Sequence, residues 1–213
     1  MKKIDIKQRI LTKNDTVADE IRAELATRNI KAINLIGSPG SGKTTLLEAV
    51  FGKIGSELKA AVIEGDVKTD NDTQRILALG VPSVQIETQN ACHLSAEMVK
   101  GKLADIPLGD IDLLVVENVG NLICPVAYDL GETVRAIVIS VAEGEDKPLK
   151  YPSAFASSDI VVVTKTDLAP YVEVSPEGLR DNALSVNPKL KVFLNSAKTG
   201  DGIDDFISFL KNM

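Results

Sequence analysis

Residues 37–44 read Gly37-Ser38-Pro39-Gly40-Ser41-Gly42-Lys43-Thr44, which satisfies the spacing G-x-x-x-x-G-K-[ST] at every position. The chemistry of that pattern is anion capture. Its glycines let consecutive backbone N–H groups turn inward around phosphate oxygens, where a Cβ would clash. Lys43 is spaced to reach the β- and γ-phosphates, and the Thr44 hydroxyl to sit on Mg²⁺. An apolar run at 32–36 precedes the loop, and the helical pattern Thr45-Leu46-Leu47-Glu48-Ala49-Val50 follows it. A helix starting there directs its N-terminal dipole and free amides at the same anion. The strand–loop–helix context favours a nucleoside triphosphate site over a Gly/Ser-rich turn that only joins two elements.

Four further segments fall at the ends of expected strands: Glu64-Gly65-Asp66, Glu117-Asn118-Val119-Gly120, Thr164-Lys165-Thr166-Asp167 and Ser196-Ala197-Lys198. Asp66 and Glu117 are carboxylates able to hold Mg²⁺ directly or through its waters, although a carboxylate after a strand also serves as an N-cap or a solvated turn. Glu117-x-x-Gly120 stands where nucleotide switches carry Asp-x-x-Gly, whose glycine amide bonds the γ-phosphate. Asn121 follows, where some GTPases place a water-positioning Gln. Thr164–Asp167 resembles the Asn-Lys-x-Asp guanine motif: a carboxylate accepts from both the ring N–H and the exocyclic amine of guanine, a donor pair that adenine lacks. The Lys165 stem can lie along the base, and Ser196-Ala197-Lys198 matches the companion base-contacting loop. Thr164 in place of Asn is expected to weaken one supporting hydrogen bond without touching Asp167.

Soft ligands are scarce: one His and two Cys in 213 residues, with Cys92 and His93 adjacent and Cys124 in Asn121-Leu122-Ile123-Cys124-Pro125. Thiolate and imidazole suit Zn²⁺ and Ni²⁺. A buried structural cysteine beside an unrelated histidine is the alternative. Position favours the metal, because Cys124 lies seven residues after Glu117, a stretch of at most about 23 Å when extended. A metal there would sense nucleotide state through a short piece of backbone.

Strands are expected at 32–36, 60–64, 83–87, 112–117, 136–141, 160–164 and 191–195, and helices near 43–55, 70–79, 92–104, 174–186 and 202–212. Continuous apolar runs such as Leu113-Leu114-Val115-Val116 belong in a mostly parallel sheet covered on both faces. Alternating strands and helices give a doubly wound α/β fold, a three-layer P-loop NTPase sandwich, with an N-terminal helical segment over 1–28. One domain accommodates the length.

Hydrophobic residues make up 44% of the chain and charged residues 25%, sufficient for an ordinary core. The net charge is −6 with no basic cluster, which argues against sequence-independent nucleic-acid binding. No apolar stretch approaches the roughly 18 residues that span a bilayer. The lysines of Met1-Lys2-Lys3-Ile4-Asp5 precede no apolar signal core, and two cysteines make no disulfide framework. A cytoplasmic protein without membrane or nucleic-acid partners is expected.

Taken together, the 37–45 loop, Glu64-Gly65-Asp66, Ala91-Cys92-His93-Leu94, the stretch from Glu117 to Pro125 and Asp129-Leu130-Gly131 resemble the HypB family of hydrogenase nickel-incorporation GTPases, in the SIMIBI class. The resemblance runs through essentially the whole chain. It implies GTP and GDP as ligands, hydrolysis of GTP to GDP and phosphate, and a GTP-dependent homodimer with a Ni²⁺ or Zn²⁺ site shared between subunits. It further implies Cys92, His93 and Cys124 as metal ligands, a HypA-like nickel chaperone as partner, and delivery of nickel to the large-subunit precursor of a [NiFe] hydrogenase. Some members carry a Cys-rich nickel motif or a His-rich tract that has no counterpart before residue 92 here, so nickel storage is not expected. Two competing readings use the same phosphate loop: a small-molecule kinase or dethiobiotin-synthetase-like ligase, and a nucleotide-gated binding module with little turnover. The guanine motif argues against the first.

Overall fold

The alternating apolar runs become seven strands: β1 (Lys31–Gly37), β2 (Ala60–Asp66), β3 (Ser83–Glu87), β4 (Leu113–Glu117), β5 (Val134–Ser140), β6 (Ile160–Thr164) and β7 (Lys191–Leu194). This is a computed structural model, and it describes residues 6–68, 70–89 and 91–213. The strands pair in the order β3-β2-β4-β1-β5-β6-β7, and every pairing is parallel. β1 sits between β4 and β5: the chain runs from β1 to β2 and β3 on one side, and from β4 it crosses to β5 on the other. That reversal opens a crevice at the strands' carboxyl ends, where the phosphate loop lies.

The long helices are α1 (Ile6–Thr27), α2 (Lys43–Ile54), α3 (Asn71–Leu77), α4 (Ala96–Lys102), then α8 (Pro176–Val186) and α9 (Ile203–Lys211) after three short ones. The short ones are α5 (Lys147–Lys150), α6 (Pro152–Ala156) and α7 (Ala169–Val172). Each of these carries a proline in its first positions. Sequence periodicity misses them because one turn is too short to show a 3.6-residue repeat. Residues 1–5 of the expected N-terminal segment lie outside the described residues. From Ile6 onward that segment is α1, whose buried stripe is Asn14, Ala18, Ile21 and Leu25.

Why the strands read as unbroken apolar runs is visible in their two faces. Leu113 and Val115 pack under Leu46, Val50, Phe206 and Leu210 of α2 and α9, whereas Leu114 and Val116 pack under Ile21, Leu25 and Val99 of α1 and α4. Toward β6 the second face is covered instead by Phe155 and Leu179 of α6 and α8. Successive side chains point to opposite faces, and both faces are covered. Among the described residues no helix is long and apolar enough to cross a membrane.

Candidate nucleotide and metal site

The phosphate loop joins β1 to α2. Gly42, the residue before the helix, has φ 92° and leaves α2 without a side-chain cap, so its first amides remain free for an anion. A Cβ could not adopt that φ without strain. The loop borders a cavity of about 430 Å³ that Lys43, Thr44, Glu64, Asp66, Asp72 and Glu117 help to line. Pro39, Gly40 and Gly120 line it as well. A Cβ at Gly120 would stand 2.9 Å from Pro39 Cγ and 3.0 Å from Pro39 N, so Gly120 presses its backbone against the phosphate loop.

Glu117 is buried at the end of β4. Its Oε1 accepts from the Thr44 hydroxyl at 3.1 Å and lies 3.8 Å from Lys43 Nζ, while Oε2 has no hydrogen-bond partner among the described residues. Beside it in the sheet register stands Glu64, also buried, whose Oε1 is likewise unpartnered. Burial, reinforced by the Glu117 charge, pushes the Glu64 carboxyl up to about 10. Burial also raises Glu117, against the pull of Lys43. Two carboxyls buried side by side cannot both ionise freely, so the pair holds a proton between them. The orphaned Glu117 oxygen, buried beside the Thr44 hydroxyl and facing a cavity that Asp66 also lines, belongs to a donor set that fits Mg²⁺. Asp66 lines the same cavity, with its Oδ1 accepting from the Val67 amide.

Sequence reasoning placed Glu64 in a strand-end segment without giving it a role, and it overlooked Asp72 and Arg75. Arg75 bonds Thr45, Glu48 and Asp72 and so fixes the cavity wall. No local motif marks Glu64, because its significance depends on β2 lying next to β4.

A second cavity, of about 240 Å³, adjoins the first and is lined by Leu46, Lys165, Asp167, Leu168, Ala197 and Lys198 among others. Asp167 Oδ1 accepts from the Ser196 hydroxyl at 2.7 Å. Lys165, held at φ 58°, extends over the phosphate loop and donates to the Gly40 carbonyl at 2.7 Å. Thr164, which stands in the Asn position of the motif, is buried at the end of β6. Its hydroxyl lies 2.5 Å from the Ser41 carbonyl and 3.2 Å from that of Ile139, so the shorter side chain still braces the loop.

Cys92, His93 and Cys124 come together, with one ligand atom from each lying within 4.8 Å of the others. The helix expected over 92–104 begins only at Ala96. Ser95 adopts an extended backbone and caps it by accepting from Met98 N–H at 3.3 Å, which leaves Cys92 and His93 in the preceding loop. Cys92 Sγ lies 3.7 Å from His93 Nδ1. The neighbouring Cys124 thiol raises the Cys92 thiol above its ordinary value, and burial lowers the His93 imidazole. A neutral imidazole is the form that ligates metal. Its ring lies against Tyr128 with centroids 3.9 Å apart. The Asn121 amide donates to the Cys92 carbonyl at 3.2 Å, and its Oδ1 accepts from Ile123 N–H at 2.8 Å.

Residues 31–194 match the family described as CobW/HypB/UreG, nucleotide-binding domain. The hydrogenase maturation factor HypB of Escherichia coli K12 is 43% identical over 208 residues, covering 98% of this chain and 72% of that protein. Among solved structures, the hydrogenase maturation factor HypB of Archaeoglobus fulgidus superposes with a TM-score of 0.88 at 38% identity, covering 94% of this chain and 98% of its own. HypB of Helicobacter pylori, solved in complex with nickel, gives a TM-score of 0.89 at 36% identity, covering 94% of both chains.

Proposed function

The chain belongs to the CobW/HypB/UreG nucleotide-binding family and, within it, to the hydrogenase maturation factors HypB, and from that premise we propose that it is a GTP-hydrolysing nickel metallochaperone acting as a homodimer. The observation that carries this reading is the meeting of Cys92, His93 and Cys124 within 4.8 Å, with Cys124 on the segment whose residues Glu117 to Gly120 line the phosphate cavity. One chain thus offers a soft-metal site and a triphosphate site joined by the segment from Glu117 to Cys124.

In the nucleotide half, Lys43 and the free amides of α2 hold the β- and γ-phosphates in place and balance their charge. Thr44, Asp66 and Glu117 hold Mg²⁺, which when bound neutralises charge developing on the phosphate oxygens. The Gly120 amide contacts the γ-phosphate and is released when that group leaves. Asp167, aimed by Ser196, selects guanine, and Lys165 covers the base. Lys43, Thr44, Asp66, Glu117 and Gly120 form the catalytic set.

In the metal half, nickel is cargo. Three soft ligands fall one short of a closed tetrahedral set, and a symmetric dimer contacting itself near Cys124 brings two such clusters together. Ile123, 67% exposed beside Cys124, leaves this loop open to a second protein. Nickel passes from the site to the large-subunit precursor of a [NiFe] hydrogenase, in company with a HypA-like chaperone. The nickel-bound relative and the maturation role of the others support this assignment. Phosphate release from GTP and from ATP, measured alongside bound Ni²⁺ per chain, tests it. GTP-selective turnover with stoichiometric nickel is the expected outcome, and an ATP-preferring or metal-free protein would refute it.

A further inference from the structure

His93 lies in a loop between β3 and α4, yet the backbone is fastened on both sides of it. Asn118 Oδ1 accepts the Leu94 N–H at 3.1 Å, and Asn121 Nδ2 donates to the Cys92 carbonyl at 3.2 Å. Both asparagines come from the short segment that begins with Glu117 and contains Gly120. We propose that Asn118 and Asn121 act as a clamp that positions Cys92 and His93 according to the state of the phosphate cavity, and so carry the coupling between bound triphosphate and bound nickel. The inference rests on the reading of the chain as a nucleotide-gated nickel chaperone and names the residues that perform the gating.

Neither side chain is free to turn independently of its segment. Asn118 is 1% exposed, and its Oδ1 also accepts from Val119 N–H at 3.0 Å while its amide donates to Asn34 Oδ1 at 3.3 Å. Swinging it away would strand buried polar groups. Asn121 is tied at three places: through a backbone bridge to Gly37, the first residue of the phosphate loop, through Ile123 N–H next to Cys124, and through the Cys92 carbonyl. Leu94, the residue that Asn118 grips, fills the space over Gly65, where a Cβ would stand 2.8 Å from its Cδ1. Gly65 adjoins Asp66. Both sides of the phosphate cavity therefore bear on the two residues flanking His93. Movement of Gly120 toward or away from a γ-phosphate must draw Asn118 and Asn121 with it, and the Cys92–His93 backbone after them.

The clamp differs from a mere scaffold in one measurable respect: it makes nickel affinity depend on the nucleotide. Ni²⁺ affinity is measured by competition with a chromophoric chelator on the full chain, loaded with Mg²⁺ and either GDP or a non-hydrolysable GTP analogue. The parent is expected to show a ratio of about fivefold or more between the two states. Asn121→Ala, at a half-buried position, and Asn121→Asp, which keeps the acceptor for Ile123 N–H but loses the donor to Cys92, should both bring that ratio close to unity with analogue affinity retained. Asn118→Ala should do the same, and Asn121 carries the test if the buried site does not tolerate the change. A parent with no nucleotide-dependent ratio, or Asn121 variants that weaken nickel equally in both states and preserve the ratio, would overturn the clamp. A chain that binds neither GTP nor Ni²⁺ refutes the proposed function itself, whereas one that binds both with an unaltered ratio in the variants refutes the clamp alone.

Discussion

The Ser196 hydroxyl donates to Asp167 Oδ1 at 2.7 Å, tying the loop after β6 to the loop after β7. That contact fixes where Asp167 presents its acceptors within the 240 Å³ cavity. Asp167→Asn would set a donor against the donors of guanine and leave polar groups unpaired, a loss on the order of 1–3 kcal/mol or more. GTP affinity should fall by at least about tenfold, with xanthosine triphosphate partly rescued. Titration with labelled nucleotides checks this, and a variant that binds GTP like the parent removes the guanine assignment.

Lys43 is the cation of the phosphate loop, and its side chain is only 7% exposed, 3.8 Å from Glu117. Lys43→Ala is expected to abolish GTP turnover, because the charge on the β- and γ-oxygens then goes unanswered. Glu117→Ala should depress Mg²⁺-dependent hydrolysis more than it weakens GDP binding. Single-turnover rates alongside GDP affinities separate the two effects, and an equal loss of both would make Glu117 structural.

The Glu64 carboxyl gives the nucleotide-free chain a pH signature. Its folded value, about 10 through burial and the Glu117 charge, lies above the ordinary 4.5, so the folded state binds a proton that the unfolded state releases. Stability from this group is therefore complete below about pH 4.5 and declines as pH rises toward 10. Glu64→Gln keeps a donor toward Glu117 but cannot ionise in the unfolded chain. It should stabilise the metal- and nucleotide-free protein at pH 8 by at least about 1 kcal/mol, an advantage that vanishes near pH 4. Urea unfolding of both proteins at the two pH values tests this, and equal stabilities at pH 8 would contradict it.

Much of the fold was legible because β1, β4 and β6 are covered on both faces, which forces uninterrupted apolar runs such as Ile160-Val161-Val162-Val163. The phosphate loop was legible because its spacing is local and it sits directly between β1 and α2. Cys92 and His93 were misassigned to a helix because Leu94, Ala96 and Val99 continue an apolar pattern through them, and the Ser95 cap was missed. Glu64 could not be recognised from one sequence, since its meaning comes from alignment with Glu117 on the neighbouring strand. The contact of Asn121 with the metal loop was hidden for a similar reason. Its partner there, Cys92, lies 29 residues away in sequence.

Metal uptake should strengthen with pH, because ligation needs thiolates and the Cys124 thiol raises that of Cys92. Nickel should tighten the dimer as the triphosphate does, since coupling between two ligands is reciprocal. Sedimentation of the chain with a non-hydrolysable GTP analogue, with and without Ni²⁺, for the parent and Cys124→Ala, tests the shared site most directly. The parent should gain a nickel-dependent dimer holding one ion, or two close ions, at its interface. Cys124→Ala should lose both that ion and the nickel-dependent dimerisation while still binding GTP. A Cys124→Ala protein that takes up nickel stoichiometrically and dimerises with it as the parent does would contradict the account.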